Sequence, residues 1–200
     1  MQKYYENVRH DVLNYLPDRE FTRALEIGGG EFGTILSVKG EDLECWGVDV
    51  REPSQSLSYF VGGSITDSIV SDQLPDHAFD LIIANDVLEH IENTEEFFRT
   101  VKLKLAPDGL VALSVPNVRS IFFAYQVFVR GRFPRLDAGL FDRTHLRWFC
   151  KRDVESQFTQ HGLEVIKSKA VGRFVLALLE TSTAAEFLGL QHLFLAQHAK

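Results

Sequence analysis

The stretch that most constrains this chain is Arg23-Ala24-Leu25-Glu26-Ile27-Gly28-Gly29-Gly30-Glu31-Phe32-Gly33. A short apolar run, Ala24 to Ile27, carries one carboxylate near its end and then breaks into glycines. The run reads as a buried strand and the glycines as a tight turn into a helix. Glycine lets the backbone approach a ligand closely, and the first N–H groups of a following helix are free to bind it. In open α/β sheets, ligands collect at such turns.

The glycine spacing alone leaves two readings. Gly28-x-Gly30-x-x-Gly33 satisfies the dinucleotide fingerprint, and a plain strand-to-helix turn satisfies it as well. Glu26 separates the cofactors. A carboxylate at the strand end would repel a pyrophosphate but would suit a ligand bearing an ammonium group and a sulfonium. That points to S-adenosylmethionine and away from a nicotinamide-dependent oxidoreductase.

Further elements follow in order. Tyr4, Tyr5, Val8, Val12, Leu13 and Leu16 recur at helical spacing up to Pro17, which predicts an amphipathic helix packed against the sheet. Glu44 to Val48 reads as a second strand ending at Asp49, whose two acceptor oxygens suit a pair of ribose hydroxyls. Tyr59 to Val61 reads as a third strand, with Ser64, Ile65 and Asp67 just beyond it. Asp80 to Ala84 is a continuous apolar strand of the kind a doubly covered parallel sheet requires. It delivers Asn85 and Asp86 to the ligand edge. Asn93 and Glu96 start a helix. Pro107 to Gly109 turns the chain into a fifth strand, Leu110 to Val115. Lys151 to Gln160 reads as a helix stopped by Gly162, Leu163 to Val171 as a strand, Phe174 to Leu188 as helical, and His192 to His198 as a final strand.

Taken together, several segments resemble the class I S-adenosylmethionine-dependent methyltransferases. Leu25 to Gly30 resembles their first motif, Trp46-Gly47-Val48-Asp49 their acidic second strand, Phe79 to His90 their fourth strand and the turn after it, and Leu105 to Leu110 the lead into their fifth. Asp137 to Phe149 is similar to a segment of a subgroup associated with bacterial polysaccharide pathways, and the chain also resembles quinone O-methyltransferases. The resemblance implies a Rossmann-like, doubly wound, mostly parallel seven-stranded sheet with an antiparallel last strand and helices on both faces. It implies a single domain over residues 1–200, S-adenosylmethionine as cofactor with S-adenosylhomocysteine as product, and cofactor contacts from Glu26, Gly28, Gly30, Asp49, Ser64, Ile65 and Asn85. The family often carries an acid at the position of Ser64 that accepts from the adenine amino group, for which the Ser64 hydroxyl, the Ile65 N–H or Asp67 would substitute here, and a small residue at the position of Phe32. These departures keep open a non-catalytic domain that binds the cofactor and methylates nothing. Asp86, Glu89 and His90 match an acid-x-x-Glu-His motif that holds a divalent metal in some RNA and quinone O-methyltransferases.

The substrate side is the least generic. Ser120 to Arg130 is apolar nearly all round, so a helix there is expected to be covered: as a lid over the substrate, at an interface with a second copy in a homodimer, or in the core. Residues 119–149 are expected to form this substrate-side lid or insertion, and long loops in compact domains are often functional. His145, flanked by Arg143 and Arg147, and His90 are the candidate general bases, because imidazole titrates near neutral pH.

Charge narrows the partners. The net charge of −7 argues against general nucleic-acid binding. Arg119 to Arg152 nevertheless holds eight basic residues and two acids, a net of +6 that leaves −13 elsewhere. Such a segment points to a local anionic partner or to arginines paired with distant acids. With two cysteines, no long apolar run and no apolar core in the first six residues, a cytoplasmic protein without a membrane span is expected. The favoured reading is O-methylation of a small acceptor, anionic or sugar-containing.

Overall fold

A computed structural model describes residues 8–172, Val175 and residues 183–200. Its elements are α1 (His10–Leu13), β1 (Arg23–Ile27), β2 (Glu44–Asp49), β3 (Tyr59–Gly62), α2 (Ser68–Ser71), β4 (Phe79–Asn85), α3 (Thr94–Lys104), β5 (Leu105–Pro116), α4 (Ile121–Ala124), α5 (Lys151–Gln160), β6 (Leu163–Val171), α6 (Thr183–Leu188) and β7 (Gln191–His198). The strands form one sheet in the order β3-β2-β1-β4-β5-β7-β6. The first five pair in parallel, and β7 runs antiparallel to both β5 and β6. The doubly wound, mostly parallel architecture expected from the sequence is therefore the one observed.

Alternation along the strands builds two cores. Leu25, Ile27, Ile82, Ala84, Val111 and Leu113 face one side, where Phe97, Phe98, Val154 and Phe158 of α3 and α5 cover them. Ala24, Leu81, Ile83, Leu110 and Ala112 face the other, against Val12 of α1, Tyr15, Phe21, Phe32 and Ile35. Asn93 caps α3, its side chain accepting from Glu96 N at 3.1 Å.

Several expectations change. The helix after the glycine turn is only a tight turn at Ile35–Ser37. β5 begins at Leu105 rather than Leu110, because Leu105 already pairs with Phe79 before a shift in register. Asp67 caps α2 by accepting from Ile69 N at 2.9 Å, which commits the carboxylate proposed as a cofactor substitute. The expected N-terminal helix is four residues long among the described residues, and Tyr4 and Tyr5 lie outside them. Most of the helix expected from Phe174 also lies outside the described residues, and its end is α6. Among the described residues no helix is long and apolar enough to cross a membrane.

Phe158 is fully buried and touches Phe98 and Phe194, with ring centroids 5.0 and 6.3 Å away. Phe158→Ala should lower unfolding stability by about 3–5 kcal/mol in urea titration, and Phe158→Leu by visibly less. Equal effects would mean that this face of the sheet tolerates repacking.

Candidate functional site

Where the chain reverses direction across the sheet, β1 and β4 lie side by side with β2 and β5 beyond them. Their carboxyl ends open on a cleft of about 740 Å³, within the range of small-molecule and cofactor sites. Glu26, Gly28, Asp49, Ser64, Ile65, Asn85, His90 and His145 all line it. Gly30 does not; its N–H donates to Asp49 Oδ2 at 3.0 Å, so it holds the carboxylate, and Gly29 lines the cleft instead.

The glycine turn is built by close approach. Gly28 has φ +68°, and a Cβ there would stand 2.5 Å from Val87 Cγ2. Phe32 is the surprise in this turn. It sits at φ +58°, a left-handed conformation that costs a non-glycine residue of order 1–3 kcal/mol. Its ring is fully buried, fills the space above Gly29 and Gly47, and meets Phe60 edge-on at 6.0 Å. Burial of the ring offsets the backbone strain, so the large residue at a usually small position serves the core beneath the turn.

Glu26 is buried, with Ile35 N donating to Oε2 at 3.0 Å. Burial pushes its carboxyl up to about 8, against the pull of Ile35 N–H, Thr34 and Arg9. A buried acid beside an open cleft is a natural seat for a cation. Asp49 presents its second oxygen to Arg51 N at 2.9 Å. Ser64 Oγ lies 2.9 Å from Thr66 Oγ1. The buried amide of Asn85 has neither its oxygen nor its nitrogen engaged by protein. An acid wanting a cation, a turn with no room for a Cβ and an orphaned amide together fit S-adenosylmethionine.

On the far side of the cleft the three residues of the Asp86-x-x-Glu89-His90 motif do not gather as one set. Leu88–His90 is a single tight turn, and Asp86 precedes it at φ +54°. Asp86 therefore bonds Arg9 Nη1 at 2.9 Å and Gln191 Nε2 at 2.7 Å, and it is not one of the three groups whose ligand atoms converge. Arg9 spends its remaining donors on Asp11, Ser114 and Gln191. The partner of Glu89 comes instead from the loop after α4. Leu146 N donates to Glu89 O at 2.9 Å, and Arg147 donates to the carbonyls of Ile91 and Glu92. These bonds set His145 Nε2 at 3.8 Å from Glu89 Oε1 and its ring centroid at 4.9 Å from that of His90.

Glu89, His90 and His145 each offer one ligand atom within 4.8 Å of the others. Both oxygens of Glu89 are buried without a hydrogen-bond partner, as is His145 Nδ1. Burial, then the charge of Asp86, raises the Glu89 carboxyl well above its usual range. Burial, then His90, lowers the His145 imidazole, which keeps it neutral at neutral pH. His90 Nδ1 lies 3.2 Å from Thr144 O, a pure acceptor, so Nδ1 carries the proton and Nε2 is left as the base or ligand atom. A divalent cation fits this set of donors: two imidazoles and a carboxyl group whose oxygens have no hydrogen-bond partner.

Arg9, Ser114 and Gln191 were not visible as site residues in the sequence. Each comes from a different element and meets the others only across the sheet end. Arg9 sits on the short N-terminal helix and Gln191 opens β7, so no local spacing relates them.

Comparison with known proteins agrees with this geometry. A family model described as a methyltransferase domain matches residues 1–168. The chain is 26% identical over 113 residues, 51% of its length, to ajmaline N-methyltransferase of Rauvolfia serpentina. It is 26% identical over 94 residues, 45% of its length, to the ubiquinone biosynthesis O-methyltransferase of Rickettsia bellii. The matches span 38% and 39% of those relatives. Among solved structures, the Burkholderia thailandensis 1,6-didemethyltoxoflavin-N1-methyltransferase, with its substrate and S-adenosylhomocysteine bound, superposes with TM-score 0.61 at 16% identity, covering 95% of this chain and 76% of that one.

The buried acid yields a test. An acid whose folded value is raised holds its proton in the folded state after the unfolded chain has lost it. Its stabilising share is present below about 4.5 and is lost as pH rises to about 8. Glu26→Gln should therefore gain stability over the parent across that window, by at most about 1.4 kcal/mol per pH unit. Urea titrations of both proteins at several pH values would show it; parallel curves would mean that Glu26 is ionised in the free protein.

Proposed function

We propose that this chain, which belongs to the S-adenosylmethionine-dependent methyltransferases, transfers the cofactor's methyl group to an oxygen of a small acceptor, anionic or sugar-containing. The observation that carries the reading is the cleft that joins the glycine turn and its two strand-end acids to His90 and His145, with the buried Glu89 beside His145. S-adenosylmethionine supplies a methyl group activated by its positively charged sulfur.

The chain's own residues divide the work. Glu26 takes the cofactor's ammonium group, and Asp49 takes the ribose hydroxyls while Gly30 and Arg51 hold it in place. Ser64 and Ile65 border the adenine end, and Asn85 stands between the two halves of the site. Methyl transfer then depends mainly on holding acceptor and cofactor in line. On the acceptor side, His145 or His90 takes the hydroxyl proton as the oxygen attacks. If Glu89, His90 and His145 held a divalent cation instead, the histidines would serve as its ligands and the cation would polarise that hydroxyl. The anionic reading of the acceptor rests on the basic composition of residues 119–152.

Calorimetric titration with S-adenosylmethionine and S-adenosylhomocysteine comes first. Gly28→Val should abolish detectable binding and Asp49→Ala weaken it about tenfold or more. Binding at neutral pH should also release a proton, measured as a dependence of the heat on buffer ionisation, and Glu26→Gln should remove that release. No binding to either compound by the folded protein would remove the basis of the assignment.

A second measurement addresses turnover. With labelled cofactor and a panel of hydroxylated acceptors, His145→Gln should lower turnover by roughly 10²–10⁴ with cofactor affinity unchanged. Loss of activity on chelation, restored by manganese or zinc, would assign the histidines to a metal. Cofactor binding without turnover on any acceptor would return the chain to the non-catalytic reading.

A further inference from the structure

The segment expected to be covered is bare. No residue of α4 or of the wider turn that continues it, Tyr125–Val129, is buried. Of the seventeen exposed large apolar side chains among the described residues, nine lie between Ile121 and Trp148. Phe128 and Val129 are the most open of these, at 81% and 72% exposure. The segment is nevertheless well built. Phe123, Phe133 and Phe141 form an aromatic cluster with centroids 5.1 to 5.8 Å apart, and Phe133 meets Trp148 edge-on at 5.1 Å. A rigid aromatic base thus holds an apolar crest outward.

Charge says what covers it. Residues 119–136 contain four arginines and no acid. Arg130, Arg132 and Arg135 are exposed and form no ion pair among the described residues. The rest of the chain carries −11. An isologous contact between two copies through this face would bring like charges together, which disfavours a symmetric dimer here. Aromatic side chains interleaved with arginines are instead the composition of a segment that lies in the interface of an anionic bilayer.

We infer that the exposed face of residues 121–136 docks the protein on an anionic lipid surface. Phe128 and Val129 enter the headgroup boundary, Arg130, Arg132 and Arg135 meet the lipid phosphates, and the acidic body is repelled. The uneven charge then sets one orientation. The loop that carries His145 is the continuation of the docked segment, so the acceptor side of the cleft is held close to the membrane. This inference does not depend on methyl transfer.

The test is co-sedimentation of the full chain with phosphatidylcholine vesicles, with and without phosphatidylglycerol. Binding is expected to the anionic vesicles only and to weaken with salt. Phe128→Ser with Val129→Ser should weaken it by about tenfold or more, and Arg130→Glu with Arg132→Glu by a similar factor. Titration with S-adenosylhomocysteine should be unchanged in both variants, which separates loss of docking from loss of fold or cofactor site. Absence of binding, equal binding to both vesicle types, or variants that bind like the parent would each overturn the inference. Self-association in sedimentation that the Phe128 and Val129 changes abolish, without vesicle binding, would reassign the face to a second copy.

Discussion

The clamp made by Arg9 organises the open end of the sheet. Its guanidinium has five N–H donors, and all five are spent, on Asp11, Asp86, Ser114 and Gln191. Those partners come from the N-terminal segment, the turn after β4, β5 and β7. One side chain therefore ties both halves of the sheet together at the place where parallel strands leave a crevice. The clamp also decides what the site contains. Asp86 is turned at φ +54° to reach Arg9, and this withdraws one carboxylate from the histidines and leaves Glu89 to face them. The desolvation of Glu89 and the nearness of Asp86 both follow from that arrangement.

How much of this was legible in the sequence depends on the range of the interaction. β1, β2 and β4 were readable because a strand buried on both faces must be a continuous apolar run, and Leu81 to Ala84 could be little else. Glu26 and Asp49 were readable for the same reason, since a carboxylate that ends such a run has no ordinary place in a core. The Asp86-x-x-Glu89-His90 motif was visible locally, but the tight turn at Leu88–His90 and the pull of Arg9 on Asp86 depend on contacts far along the chain. His145 was marked by its surroundings, but its neighbour Glu89 lies 56 residues away, and bonds such as that from Leu146 N to Glu89 O set the register between them. Phe32 was read as a departure at the cofactor turn; its buried ring shows that the core beneath the turn requires it.

The segment after β5 shows the limit of burial arguments. A helix apolar all round must be covered, but the covering need not come from the same molecule. Here Phe123, Phe133 and Phe141 satisfy each other, and Phe128 and Val129 do not turn inward to join them. Among the described residues nothing covers the crest, and a partner outside the chain would reconcile hydrophobicity with fold. The arginines that interrupt it restrict that partner to an anionic one.

The same loop carries His145, so surface and site are mechanically one piece. Leu146 N and Arg147 fasten the loop to the backbone of Glu89, Ile91 and Glu92, while the aromatic cluster fastens it to α4. Movement of the crest must therefore be felt at the imidazole, because the two are separated by a packed aromatic base and not by a slack linker. The cofactor end has no such attachment: Glu26, Gly28 and Asp49 are held by bonds within the sheet and its turns. A disturbance of the crest should consequently act on the acceptor half of the cleft and leave the cofactor half in place. That asymmetry gives a physical reason for building the two halves from different parts of the chain. One is fixed by the fold, and the other can answer to what the protein touches.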